Sequence, residues 1–234
     1  VEMAFQSLVS ENPFLLFPSD FTNGTKSILI NGLVWMGEES FMKQQIEEKL
    51  AQGFRCIKLK IGAIDFDKEL QLLRFIREHF TPEQVEIRVD ANGAFNENLA
   101  LDKLIQLSEF KLHSIEQPIQ KDHTDSMAEL CRITPFPIAL DEELIGVFTL
   151  AEKEQLLEKI KPKYIILKPS FIGGFRGTQE WISLAEKHKI GWWITSALES
   201  NIGLNAIAQW TFLQHNLMPQ GLGTGALYTN NFDC

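Results

Sequence analysis

RCIKLKIG, residues 55–62, puts Ile57, Leu59 and Ile61 in one alternating set and Cys56, Lys58 and Lys60 in the other. Side chains of a β-strand alternate between its two faces, so this run reads as a strand with an apolar side and a lysine-bearing side. The next strand-like run, VEIRVDAN at 85–92, repeats the parity: Val85, Ile87, Val89 and Ala91 oppose Arg88, Asp90 and Asn92. Charges on the same face of successive strands call for a shared interior, and the apolar faces call for a layer of helices outside it.

Further along, more short runs rich in apolar and β-branched residues recur: ILINGLVW (28–35), LHSIEQPI (112–119), PIALDEEL (137–144), YIILKPS (164–170), IGWWITSA (190–197) and a weaker eighth, QGLGTGA (220–226). Segments 40–52, 67–80, 97–109 and 150–160 between them carry apolar residues at helical spacing. Seven strand–helix units and a last strand imply parallel strands with right-handed crossovers. The expected fold is α/β, a TIM-like (β/α)7β barrel over residues 28–234, in which no helix follows the last strand. The open-sheet alternative is disfavoured, because the chain has neither G-x-G-x-x-G nor G-x-x-x-x-G-K-[ST]. Residues 1–27 fall outside the barrel: VEMAFQSLV reads as the end of an amphipathic helix, and 11–27, with Pro13, Pro18 and Gly24, as a linker. A start at Val1 and a C-terminus, TNNFDC, that stops just after the glycine-rich run lead us to expect one domain of a longer protein.

Composition narrows the function. The 234 residues carry 22 Lys+Arg against 31 Asp+Glu, a formal charge of −9. Net negative charge argues against nucleic acid or an anionic membrane surface as partner. VEMAFQSLV lacks the basic region and small-residue cleavage site of a signal peptide, and no run reaches 18 consecutive apolar residues, so a cytoplasmic protein is expected. Cys56, Cys131 and Cys234 are odd in number and lack a C-x-x-C, which leaves them as packing residues.

The chemistry lies at the strand ends. Lys60, Asp90, Glu116, Asp141 and Lys168 follow one another at separations of 25 to 30 residues. One βα unit of a barrel is about 30 residues, so each returns to the same rim one strand further round. Three carboxylates converging without His or thiolate describe a hard oxygen site, suited to Mg²⁺ or Mn²⁺. Lysines on opposite sides of it suit removal of a proton α to a carboxylate, with a cation facing the negative charge that develops.

The motifs K-L-K-I-G, V-D-A-N, I-E-Q-P, L-D-E and I-L-K-P-S, in this order, resemble the enolase superfamily, in its muconate-lactonizing subgroup. The resemblance covers roughly residues 28–226. It implies Asp90, Glu116 and Asp141 as metal ligands, Lys60 as acid/base and Lys168 as the lysine across the ring, with Lys58, Asn92 and Glu142 in support. The superfamily's N-terminal α+β capping domain is not recognisable here, apart from the helix end VEMA. The eighth run also lacks the D-x-D with which dipeptide epimerases hold an ammonium group. TSALES and GLGTGALYTNN look most like the o-succinylbenzoate synthases of this superfamily. That likeness implies dehydration of 2-succinyl-6-hydroxy-2,4-cyclohexadiene-1-carboxylate in menaquinone synthesis, a small carboxylate substrate, and contacts from Ser196, Gly223 and Thr224. The competing readings are an N-succinylamino acid racemase and, from another class, a non-catalytic metal-binding barrel.

Other features take blander readings. Glu143, Asp65 and Asp67 are expected as solvated charges, the five histidines as surface residues, and Trp181, Trp192, Trp193 and Trp210 as packing. G-G-F-R-G at 173–177 is expected as a turn into a helix rather than a phosphate cradle.

Overall fold

The computed structural model describes residues 1–232, so Cys234 lies outside the described residues. Helix α1 (Glu2–Val9) precedes seven strand–helix units. These are β1 (Gly32–Val34) with α2 (Glu39–Ala51), β2 (Cys56–Lys60) with α3 (Phe66–His79), and β3 (Glu86–Asp90) with α4 (Glu97–Ser108). They continue as β4 (Ser114–Glu116) with α5 (Thr124–Ile133), β5 (Ile138–Leu140) with α6 (Leu150–Ile160), β6 (Tyr164–Leu167) with α7 (Gly174–Lys187), and β7 (Gly191–Ile194) with α8 (Asn201–Leu213). The strands form one parallel sheet in the order β1 to β7.

The alternation read from the sequence is realised. Ile57, Leu59, Ile87 and Val89 are fully buried against Leu72, Leu73 and Ile76 of α3 and their neighbours. Each such side chain contributes about 1.5–3 kcal/mol by leaving water. A smaller cluster of Ala139, Ile166 and Trp193 fills the inner, concave side of the sheet. Arg88 stacks there on the Trp193 ring, 4.1 Å from its centroid. His113 departs from the expected surface position: it stacks on Tyr164 at 4.7 Å, and burial lowers its pKa. The four tryptophans expected in packing roles are all buried.

The weak eighth run does not form a strand of its own. Only Gln220 and Gly221 bridge, in parallel sense, to Ile30 beside β1 and to Thr195 just after β7. They bond to both edges: Gln220 N donates to Leu29 O (2.8 Å), Asn31 N to Gln220 O (3.0 Å), and Gly221 N to Ile194 O (2.8 Å). A Cβ at Gly221 would lie 2.2 Å from Thr195 Oγ1, so the close approach requires glycine here. Residues after it turn into a 3-10 helix, Gly223–Leu227.

The N-terminal residues lie against the helices. Leu16 and Phe17 donate their backbone N–H groups to Gln209 Oε1 of α8 at 2.9 and 3.0 Å. Phe17 meets Phe175 edge-on at 5.3 Å. Glu2 accepts from Phe175 N at 2.5 Å, placing its carboxylate at the N-terminus of α7 after Gly173. The G-G-F-R-G turn therefore starts a helix, as expected, and a carboxylate of the chain itself meets the partial positive charge there.

Cys56 is buried and Cys131 partly so; burial raises both thiols, Cys131 to about 12. A thiol held protonated is a poor nucleophile. Native protein treated with iodoacetamide at pH 8 is expected to leave both unmodified, and unfolding in urea to expose both. Peptide mapping reads the outcome, and rapid native labelling of either would contradict this packing.

Candidate active site

Parallel pairing aligns three of the rim residues directly. Lys60 of β2 is in register with Asp90 of β3, and Asp90 with Glu116 of β4. Asp141 follows β5 and Lys168 follows β6. Carboxylate oxygens of Asp90, Glu116 and Asp141 lie within 4.8 Å of one another, and all three residues are buried.

Three lysines face this acidic cluster. Lys58 Nζ pairs with Glu116 and lies 3.0 Å from Asp90 Oδ2. Lys60 Nζ donates to Asp90 Oδ2 (2.6 Å) and Asn92 Oδ1 (2.7 Å). Lys168 Nζ donates to Asp141 Oδ2 at 2.5 Å. Asn92 Nδ2 in turn donates to Glu142 Oε1 at 2.9 Å, so all three expected supporting residues, Lys58, Asn92 and Glu142, adjoin the cluster.

Burial and pairing compete at each group. Burial opposes the charge on Lys58, yet Asp90 and Glu116 outweigh it and raise its pKa above the ordinary lysine value. Burial would raise Asp90, but Lys58 and Lys60 hold it well below the usual carboxylate range. For Glu116 burial prevails over Lys58 and pushes the carboxyl up to about 8. Asp141 rises to about 6, by burial against the pull of Lys168. Lys168 itself is raised: burial opposes its charge, and Asp141 outweighs burial.

The cluster has acceptor capacity that the protein does not use. Glu116 Oε1 is buried and has no hydrogen-bond partner. An unpaired oxygen among converging carboxylates is costly unless a cation takes it up, and an all-oxygen donor set suits a hard divalent ion. The residues present therefore fit such an ion. A second group, Glu154, Glu158 and His188, also gathers potential ligand atoms, but Lys187 and His188 already engage Glu154.

Lys58, Lys60 and Lys168 open onto a cavity of about 210 Å³. Ser196, Gly223 and Thr224, expected as substrate contacts, line the same cavity. The Ser196 and Thr224 hydroxyls hydrogen-bond to each other. Trp35, Phe171 and Leu198 supply apolar lining that the sequence reading did not single out. Trp35 directly follows β1, so the strand-end rule that found the charges would have found it too.

Glu143 is a correction. It was expected in solvent and is only 5 % exposed. The 3-10 turn Glu142–Leu144 folds it back toward Gln117, whose Oε1 accepts from Glu143 N at 3.4 Å. Asp65 does act at a helix start, capping α3 by accepting from Asp67 N and Lys68 N.

Comparison with known proteins identifies the family. The enolase C-terminal domain-like family matches residues 42–232. Over 231 residues the chain is 59 % identical to an o-succinylbenzoate synthase of Desulfotalea psychrophila, a match spanning 99 % of this chain and 62 % of that protein. The crystal structure of MenC from Desulfotalea psychrophila superimposes with a TM-score of 0.92 at 57 % identity, over 100 % of this chain and 64 % of that one. An N-succinylamino acid racemase of Thermus thermophilus is 36 % identical over 160 residues, 68 % of this chain and 40 % of its own length. The chain thus spans less than two thirds of these relatives.

Proposed function

The chain belongs to the enolase superfamily, whose C-terminal domain it carries, and on that premise we propose that its cavity dehydrates a cyclic β-hydroxy carboxylate. The substrate we assign is 2-succinyl-6-hydroxy-2,4-cyclohexadiene-1-carboxylate and the product 2-succinylbenzoate, a step of menaquinone synthesis. The observation that carries the reading is the opening of Lys60 and Lys168 onto one cavity, from strands four places apart in the sheet, with the acidic cluster between them. The similarity to o-succinylbenzoate synthase supports it. We further read Gln220 and Gly221 as the eighth strand position that closes a (β/α)7β barrel over residues 28–234, with 1–27 leading in from a capping domain. Unpaired Cys56 and Cys131 suit a reducing, cytoplasmic setting.

In this reading Asp90, Glu116 and Asp141 hold Mg²⁺, with Mn²⁺ an alternative. The bound ion supplies positive charge to the substrate carboxylate as negative charge builds on it. With Asp90 engaged by a cation, Lys60 keeps Asn92 as its hydrogen-bond partner and faces the substrate α-carbon. Lys60 takes the α-proton, the C–H electron pair moves into the ring, and the C–O bond to the β-hydroxyl breaks. The same lysine returns its proton to the departing hydroxyl, so water leaves and the ring becomes aromatic. Lys168 stays protonated and faces the carboxylate from the far side. Lys58 remains paired with Glu116 and Asp90, which limits their mutual repulsion.

Incubating the protein and Mg²⁺ with this substrate, alongside N-succinylamino acids of one hand, tests the assignment by ultraviolet absorbance and chiral chromatography. Formation of the aromatic product is the expected result. Racemisation without dehydration would favour the second reading, which the same pair of lysines suits by placing a base on each side of the substrate.

Ser196 and Thr224 are assigned to the succinyl tail. A hydrogen bond to a neutral partner is worth about 0.5–1.5 kcal/mol, so Ser196→Ala is expected to raise KM by about 3–10-fold with kcat little changed. A fall in kcat at constant KM would place Ser196 at the reacting carbon instead.

A further inference from the structure

We infer that Gln117 is a positioning residue that sets the spacing of Glu116 and Asp141, and so tunes the acidic cluster to a small divalent ion. The inference rests on the metal reading above and goes beyond it, since Gln117 itself touches none of the reacting atoms.

The observation begins with a hydrogen-bonding exchange at the end of β4. Ile115 and Glu116 pair with Ile138 and Ala139 of β5, and Gln117 N continues the ladder by donating to Ala139 O at 3.0 Å. In a parallel ladder the next bond runs from Asp141 N to the backbone carbonyl of Gln117. That carbonyl has turned away. Gln117 has φ +38, a left-handed conformation that side-chain-bearing residues adopt rarely, and its carbonyl accepts from Gly93 N, beyond β3, at 2.7 Å. The side-chain carbonyl takes the vacated place: Gln117 Oε1 accepts from Asp141 N at 3.3 Å and from Glu143 N at 3.4 Å.

One residue therefore joins the three strand ends that carry the carboxylates. Its backbone carbonyl holds the loop after Asp90, its own strand carries Glu116, and its side chain holds the backbone of Asp141. The clamp is tied down from behind, because Nε2 donates to Ile119 O (3.1 Å) and Glu143 Oε1 (3.4 Å), and the side chain is fully buried. The contact with Gly93 is equally constrained. A Cβ at Gly93 would lie 3.0 Å from Gln120 Cα, and its φ is +73. A backbone reversal held from both sides beside a functional cluster is where stored strain serves geometry.

Gln117→Met keeps the volume and removes all four side-chain bonds, whereas Gln117→Glu keeps the acceptor for Asp141 N and loses the donors. Calorimetric titration with MgCl₂ and with CaCl₂ reads the effect. Loss of a group that orients metal ligands typically costs 10–100-fold in affinity. Mg²⁺ demands near-octahedral geometry and Ca²⁺ tolerates a looser one, so the Met variant should lose about 10–100-fold for Mg²⁺ and less for Ca²⁺. The Glu variant should recover part of the loss. Thermal melting identifies any variant that fails to fold, and the other variant then carries the test. A folded Met variant with unchanged Mg²⁺ affinity, or with equal losses for both ions, would overturn the inference. Absence of Mg²⁺ binding by the wild-type protein would overturn it together with the metal reading, and is seen separately because the wild type is titrated first.

Discussion

Lys60→Ala is expected to lower turnover by about 10²–10⁴-fold, the range that a positioned proton-transfer group contributes, and to abolish exchange of the substrate α-hydrogen with deuterated solvent. The second readout matters because exchange isolates C–H cleavage from loss of the hydroxyl. Lys60→Arg should do no better: the guanidinium preserves the charge next to Asp90 but does not give up its proton near neutral pH. Lys168→Ala, by contrast, removes a charge rather than the base, so slow exchange should persist although turnover falls. Turnover retained in Lys60→Arg would show that only a positive charge is needed at that position. Exchange lost equally in both alanine variants would give Lys168 a share in the proton transfer, as a racemase requires.

These residues were legible in the sequence because two regularities act together on them. Period-2 alternation sends Lys58, Lys60, Arg88 and Asp90 to the concave side of the sheet, and a near-constant unit length returns Glu116, Asp141 and Lys168 to the same rim. The ion pairs Lys60–Asp90 and Lys168–Asp141 follow from those regularities. Where backbone direction departs from the regular element, the pattern loses its hold. Glu143 sits in an acidic run that reads as solvated, and only the 3-10 turn after β5 buries it. Gln117 lies within a motif whose acidic member drew the attention, yet its role depends on a reversed carbonyl that no periodicity encodes. The eighth run has strand-like ends and glycines within, and it yields two bridging residues because Gly221 packs onto Thr195 before the chain turns into the 3-10 helix. The apolar lining from Phe171 and Leu198 comes from loops, and Leu198 takes a positive φ of 64 that its residue type does not announce.

Glu116→Gln should abolish most Mg²⁺ binding, by more than about 100-fold since even outer partners of metal ligands cost 10–100-fold, and yet raise the melting temperature of the metal-free protein. Glu116 is fully buried and its carboxyl is raised from 4.5 to about 8. A carboxyl whose pKa is higher folded than unfolded stabilises the fold most below about pH 4.5, and that contribution is lost as pH rises toward 8. Glutamine stays neutral throughout, so the gain in melting temperature of the variant over wild type should be smallest at pH 5 and grow to pH 8, measured with a chelator present. Asp90, held well below the usual carboxylate range, acts only at lower pH, whereas Asp141, raised to about 6, adds its own pH dependence in both proteins, so the difference between the two curves is what reports Glu116. Adding Mg²⁺ should narrow the gap: an ion at 100 times its Kd stabilises the wild type by about 2.7 kcal/mol and the variant hardly at all. A variant that melts below wild type at pH 8 without metal would mean that the Lys58–Glu116 pair holds the fold together. The opposite ordering would mark Glu116 as a residue kept at a cost to stability for the cation it binds.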